Sequence, residues 1–128
     1  MEDIKQDPVK DEENAHPVAS AWRPTLREIA KAIAEGDYGL SRGVATVGPV
    51  SAATAQRIRA SVSHYGETLA ELSDNTWNSS VSQWMGTHWE VLVDLWTIES
   101  GRSDLVLTVF VFDTTDGFRF EIDSVHVP

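Results

Sequence analysis

From residue 88 onward, apolar and polar residues alternate with a period of two, and turn residues break the alternation twice. That period belongs to half-buried strands, whose successive side chains point to opposite faces. It predicts three antiparallel strands, His88–Ile98, Asp104–Asp113 and Phe118–Val127. The turns fall at Ile98–Asp104, which contains Gly101, and at Asp113–Gly117. One row of side chains is apolar throughout: Trp89, Val91, Val93 and Leu95, then Leu105, Leu107, Val109 and Val111, then Phe118, Phe120 and Ile122. This row is the expected core face, and something must cover it.

Two helices precede the strands. Residues 22–35 carry Trp22, Leu26, Ile29 and Ile33 at helical spacing, with Pro24 in the first turn and Gly36 beyond the end. Ala52–Tyr65 follows an N-cap at Ser51 and stops at Gly66, with Ala55, Ile58, Val62 and Tyr65 as its buried stripe. Arg23, Arg27 and Lys31 form a second line on the first helix. They read as a solvated face or as a short basic contact strip. The glycine-rich stretch between the helices lacks the Lys-Ser/Thr ending of a phosphate-binding loop, so it reads as a connection with a short strand at Val44–Val47. Thr68–Leu72 reads as a further strand, and Trp77–Met85 has no clean period.

The fold class expected is therefore α+β, with two N-terminal helices packed on one face of an antiparallel β-meander of three to five strands. Residues 1–16 are predicted to be a flexible acidic tail, because six acids and few apolar residues cannot offset the entropy of ordering. Residues 17–128 are expected to form a single α+β domain.

Charge narrows the function classes. The formal charge of −10 divides into −4 over residues 1–16, +3 over 17–65 and −9 over 66–128. So acidic a strand half argues against nucleic acid as a partner, since phosphate contacts need cations. With no Cys, disulfides, thiol chemistry and Cys-based metal sites are excluded. No secretory or spanning segment is expected, and the chain reads as cytoplasmic.

The second sheet face holds the candidate site. It carries His88, Glu90, Leu92, Asp94 and Trp96 on the first strand, Val106, Thr108, Phe110 and Phe112 on the second, and Arg119, Glu121 and Asp123 on the third. Pairing the apolar rows in register sets Asp94 beside Thr108 and Thr108 beside Asp123, with the two carboxylates on the order of 10 Å apart. That separation is in the range of inverting glycosidases, yet any acid-rich sheet produces such pairs. His88-x-Glu90 lacks further ligands at metal spacing, and no Gly-x-Ser-x-Gly elbow occurs. No catalytic residue, metal or cofactor is therefore assigned.

Asp94-Leu-Trp-Thr97, Gly101-Arg-Ser-Asp-Leu105 and Glu121-Ile-Asp-Ser-Val-His-Val127 together resemble a family of small uncharacterised bacterial proteins. The resemblance covers mainly residues 88–127 and implies an α+β domain with helices followed by a meander. It implies no activity. Ser124 departs from the pattern, standing where an acid is usual.

The reading that follows is a non-enzymatic protein-binding module, an immunity- or antitoxin-like inhibitor whose acidic and aromatic face docks a basic partner. Glu90, Asp94, Trp96, Phe110, Phe112, Glu121, Asp123 and Arg102 are its candidate binding residues. Arg102 also reads as a turn lock between Glu99 and Asp104. Two readings compete: a small-molecule or hydrolytic domain using these carboxylates with His88 around a pocket, and a homodimer formed through the same face.

Overall fold

A computed structural model describes residues 5–128, and its architecture is α+β. Two helices, α1 (Arg23–Ala34) and α2 (Ala52–Tyr65), accompany a sheet of six described strands. The strands are β1 (His16–Pro17), β2 (Leu69–Ala70), β3 (Val81–Trp84), β4 (Trp89–Thr97), β5 (Gly101–Thr114) and β6 (Gly117–His126). Their order across the sheet is β1-β3-β4-β5-β6, and β2 pairs with β4. All strand pairings are antiparallel. No described helix is long and apolar enough to cross a membrane.

The expected maximum of five strands is exceeded because two short strands share one edge of β4. β3 pairs with Trp89–Leu92, and β2 pairs with Trp96 and Thr97. Between them, the 3₁₀ turn Asp74–Asn78 lies against the uncovered stretch of β4. There the Asp94 N–H donates to Ser80 Oγ at 3.0 Å, and the Asp94 carbonyl accepts from Thr76 Oγ1 at 2.6 Å. Hydroxyls thus do the work of a missing strand, which is why Thr76 and Ser80 are buried despite their polarity.

The core face is the predicted one. Val91, Val93, Leu95, Leu105, Leu107, Val109, Val111 and Phe120 are buried in one cluster with Trp22, Leu26, Ile29, Ile33 and Ile58. The helices do not lie together on the meander, however. α2 packs mainly on β6, whereas α1 reaches the sheet at β2. Only Ile58 of the predicted α2 stripe is fully buried, and Ala55, Val62 and Tyr65 are half-buried at the margin. Ser51 caps α2 by accepting from the Thr54 N–H, and Gly66 ends it at φ +81°, a conformation that favours glycine. The connection between the helices reaches the sheet as a parallel bridge of Val47 with Phe120.

Residues 5–16, in the segment whose composition predicts a tail, run along the sheet. Gln6 N–H donates to Ser20 Oγ, and Ser20 N–H returns a bond to the Gln6 carbonyl, both at 2.8 Å. Trp89 Nε1 donates to the Val9 carbonyl at 3.0 Å, and Gln83 Nε2 to the Asp11 carbonyl at 2.8 Å. Lys10 lies over the Trp84 ring, 4.9 Å from its centroid, and pairs with Asp113 at 2.9 Å. Trp84 in turn contacts Trp89, which contacts Trp22 and Phe118, so the segment seals the end of an aromatic cluster.

Candidate functional site

The outer sheet face is sorted by register. On the β5–β6 side the expected rows hold near the turn, with Phe112 opposite Arg119 and Phe110 opposite Glu121. A bulge then leaves Asp123 without a partner, and Ser124 rather than Asp123 faces Thr108. On the β4–β5 side the row shifts by two. Asp94 faces Val106, Leu92 faces Thr108, and Glu90 faces Phe110. A shift of two keeps every side chain on its face, so the candidate residues stay on the outer side while their neighbours change.

These changes divide the eight candidates into three groups. Glu90, Asp94 and Asp123 line one groove of about 360 Å³ with Thr108, Val81, Leu92 and Val106. Ser79, His126 and Pro128 complete its wall. Asp94 accepts a hydrogen bond from Ser79 Oγ. Among the described residues, Glu90 and Asp123 have no salt-bridge partner, and no Lys or Arg lines the groove. The Thr108 hydroxyl is buried there without a hydrogen-bond partner among the described residues. The result is an apolar floor edged by three carboxylates.

Phe110, Phe112 and Glu121 form a second group, closed over by the protein's own side chains. The His88 ring lies 4.9 Å from Phe110 and 5.2 Å from Phe112, centroid to centroid. The Arg119 guanidinium sits 4.4 Å from the Phe112 centroid and binds Glu121. Both Phe side chains are half-buried beneath this layer. Large exposed apolar side chains among the described residues are Val9, Met85, Ile98 and Val127, which belong to four separate segments. His88 is therefore a cover for the Phe pair and is not among the residues lining the carboxylate groove.

Trp96 and Arg102 form the third group, across the irregularity that follows Asp94. They face each other in the β4–β5 register. The Trp96 ring lies against Gly101, where an added Cβ would stand 3.5 Å from a ring carbon. Gly101 also has φ +73°, so both the turn and the ring contact favour glycine. Ser103 Oγ donates to the Leu95 carbonyl at 2.8 Å and accepts from the Leu105 N–H at 3.1 Å. Gly101-Arg-Ser-Asp-Leu105 is thereby a stitch across the β4–β5 irregularity. Arg102 is exposed, and Glu99 is bound by Thr68, which holds its carboxyl below the ordinary range.

Sequence reasoning missed Ser79, Val81, His126 and Pro128. The first two lie in the stretch with no clean period, and His126 is turned toward the groove side by the Asp123 bulge. A signal for Ser79 was the polar run Asn78-Ser79-Ser80 beside Thr76, whose hydroxyls supply donors wherever a strand edge lacks them. Among the described residues, no group of three or more His, Asp or Glu side chains is placed to hold a metal ion.

No curated protein and no solved structure matches the chain. A family model described as a domain of unknown function (DUF7668) matches residues 30–128, most of the chain from the middle of α1 onward. The chain belongs to that family.

Proposed function

We propose that the protein is a non-enzymatic binding module, and that the Glu90–Asp94–Asp123 groove docks a Lys- or Arg-bearing segment of a basic protein partner. The carrying observation is the groove itself, three carboxylates around Val81, Leu92 and Val106 with no Lys or Arg in the lining. A Lys or Arg side chain suits both halves of such a surface. Its methylene stem covers the apolar floor while its charged head meets carboxylates. The surrounding negative charge speeds association with a basic partner. An immunity- or antitoxin-like inhibitor of a basic protein is the concrete form of this reading, in a small bacterial protein of the cytoplasm. His88, expected beside these carboxylates, covers the Phe pair instead, while His126 lines the groove with its Nδ1 3.2 Å from Ser124 Oγ.

The test is titration of the full chain with a labelled hexalysine peptide, read by fluorescence anisotropy. Binding should weaken with added salt. Asp123→Lys should lower affinity about tenfold or more, whereas Asp116→Lys, in the β5–β6 turn, should change it less than about twofold. Equal losses from the two reversals would mean that hexalysine senses only the overall charge, and the groove reading would be abandoned.

A further inference from the structure

One side chain on the wall of the carboxylate groove can change its charge near neutral pH. It is His126, at the end of β6. An imidazole is the side chain whose ordinary charge change falls between pH 5 and 8. Register fixes where this ring stands. His126 pairs with Val106, and Val106 pairs with Asp94, so the three share one row across β6, β5 and β4. Neighbouring strands are about 4.8 Å apart, which sets the His126 and Asp94 backbones on the order of 10 Å from each other. Asp123, at the bulge of β6, lines the same groove.

The charges that face this ring come from two strands. β4 contributes Glu90 and Asp94, and β6 contributes Asp123. Val106 and Thr108 of β5, Val81 of β3 and Ser79 are uncharged. Carboxylates ordinarily ionise near pH 4, well below an imidazole. One proton on His126 thus changes the charge of the groove lining from −3 to −2 while its three carboxylates stay ionised.

Ser124 suits the ring in both states. Its Oγ lies 3.2 Å from His126 Nδ1. A hydroxyl donates to an unprotonated ring nitrogen and accepts from a protonated one. The same contact therefore serves before and after titration, and the charge can change without the ring leaving the wall.

We infer that protonation of His126 weakens the hold of the groove on a basic partner. This control by pH rests on the docking of a Lys- or Arg-bearing segment in the groove. The imidazolium places a positive charge beside the carboxylates that the incoming cation would meet, and like charges repel at such range. The deprotonated form is the one that binds, so affinity rises with pH across the imidazole range. Linkage demands the converse, that a bound cation drives the proton off His126.

The experiment titrates the full chain with labelled hexalysine at pH 8 and at pH 5.5, at constant ionic strength, read by anisotropy. Lysine stays charged at both values. Affinity should fall about threefold or more on acidification. His126→Gln, at an exposed position, should lose most of that fall, and His64→Gln on α2 should keep it. A second arm records the histidine ring ¹³C–¹H cross-peaks at about pH 6.5, where an imidazole is ordinarily half protonated. His126→Gln identifies the relevant peak by its disappearance. Saturating hexalysine should move that peak toward its position at pH 8. Binding at pH 8 that is weakened by Asp123→Lys yet unchanged at pH 5.5 would overturn the pH response and leave docking intact. So would a wild-type fall retained by His126→Gln, or a His126 peak that moves toward its acidic position. No loss from Asp123→Lys at pH 8 would overturn docking and, with it, the pH response.

Discussion

Thr76→Val keeps the volume of a fully buried side chain and removes the hydroxyl that completes the edge of β4. Thr76 has one hydroxyl hydrogen, given to the Asp94 carbonyl at 2.6 Å. The 3.2 Å contact between Thr76 and Ser80 therefore has Ser80 as donor. The Asp94 N–H then donates to Ser80 Oγ at 3.0 Å and closes a ring of three hydrogen bonds. Valine breaks two of the three and opens no large cavity. It strands the Asp94 carbonyl and the Ser80 hydroxyl. At about 1–3 kcal/mol for each buried polar group left unpaired, and with Asp94 half-buried, the expected loss is about 2–4 kcal/mol. For a chain of this size that lowers Tm by on the order of 10 °C. Urea unfolding followed by tryptophan fluorescence should show a lower midpoint with an unchanged slope. Ser80→Ala should cost about 1–3 kcal/mol, and the double variant less than the sum, because both substitutions break the same ring. A Thr76→Val loss under about 0.5 kcal/mol, or strict additivity, would refute the ring as the support of Asp94.

Three further outcomes test other parts of the structure. Leu107→Ala, at a fully buried position in the middle of β5, should cost about 2–5 kcal/mol in urea unfolding, with a smaller loss showing that the site collapses around the deletion. Ser51→Ala removes the cap that accepts from the Thr54 N–H and should cost about 1 kcal/mol, visible as faster amide exchange in the first turn of α2. The Asp11 carboxyl is lowered to about 2 by the His16 ring above all, then by the Glu13 N–H and the Asn14 amide. A depressed carboxylate pKa places its contribution above the ordinary value near 4 and removes it as pH falls toward about 2. Protection of the Glu13 amide should hold from neutral pH to about 4 and then decline, with Asp11→Asn abolishing that step. A decline centred near pH 6 would contradict the assignment.

The long elements were legible because each has a period and a punctuation. Ser51 and Gly66 bound α2 at the residues where the structure starts and stops it, and the alternation from Trp89 onward marks β4, β5 and β6 with their inner faces. The short elements were not. β2 and β3 hold two and four residues, too few for a period, and their partners are distant in sequence. Thr76 and Ser80 look like turn residues until β4 is seen to lack a neighbour at Asp94. Alternation also cannot detect a slide of two, since it preserves faces. Asp94 and Asp123 were thus read onto the correct face beside the wrong partners, and the irregularities after Asp94 and Thr108 set the true ones. Phe110 and Phe112 were recognised as a patch, but their cover by His88 and Arg119 depends on side-chain directions that no spacing encodes.

The most direct test of the docking groove is a map of amide shift changes on adding unlabelled hexalysine to the ¹⁵N-labelled protein. A docking groove predicts changes concentrated at Glu90–Asp94, Val106–Thr108 and Asp123–His126, with little at Glu12, Glu13, Asp113 and Asp116. Changes spread evenly over all of these acids would contradict it, because the peptide would then be following net charge and not a site.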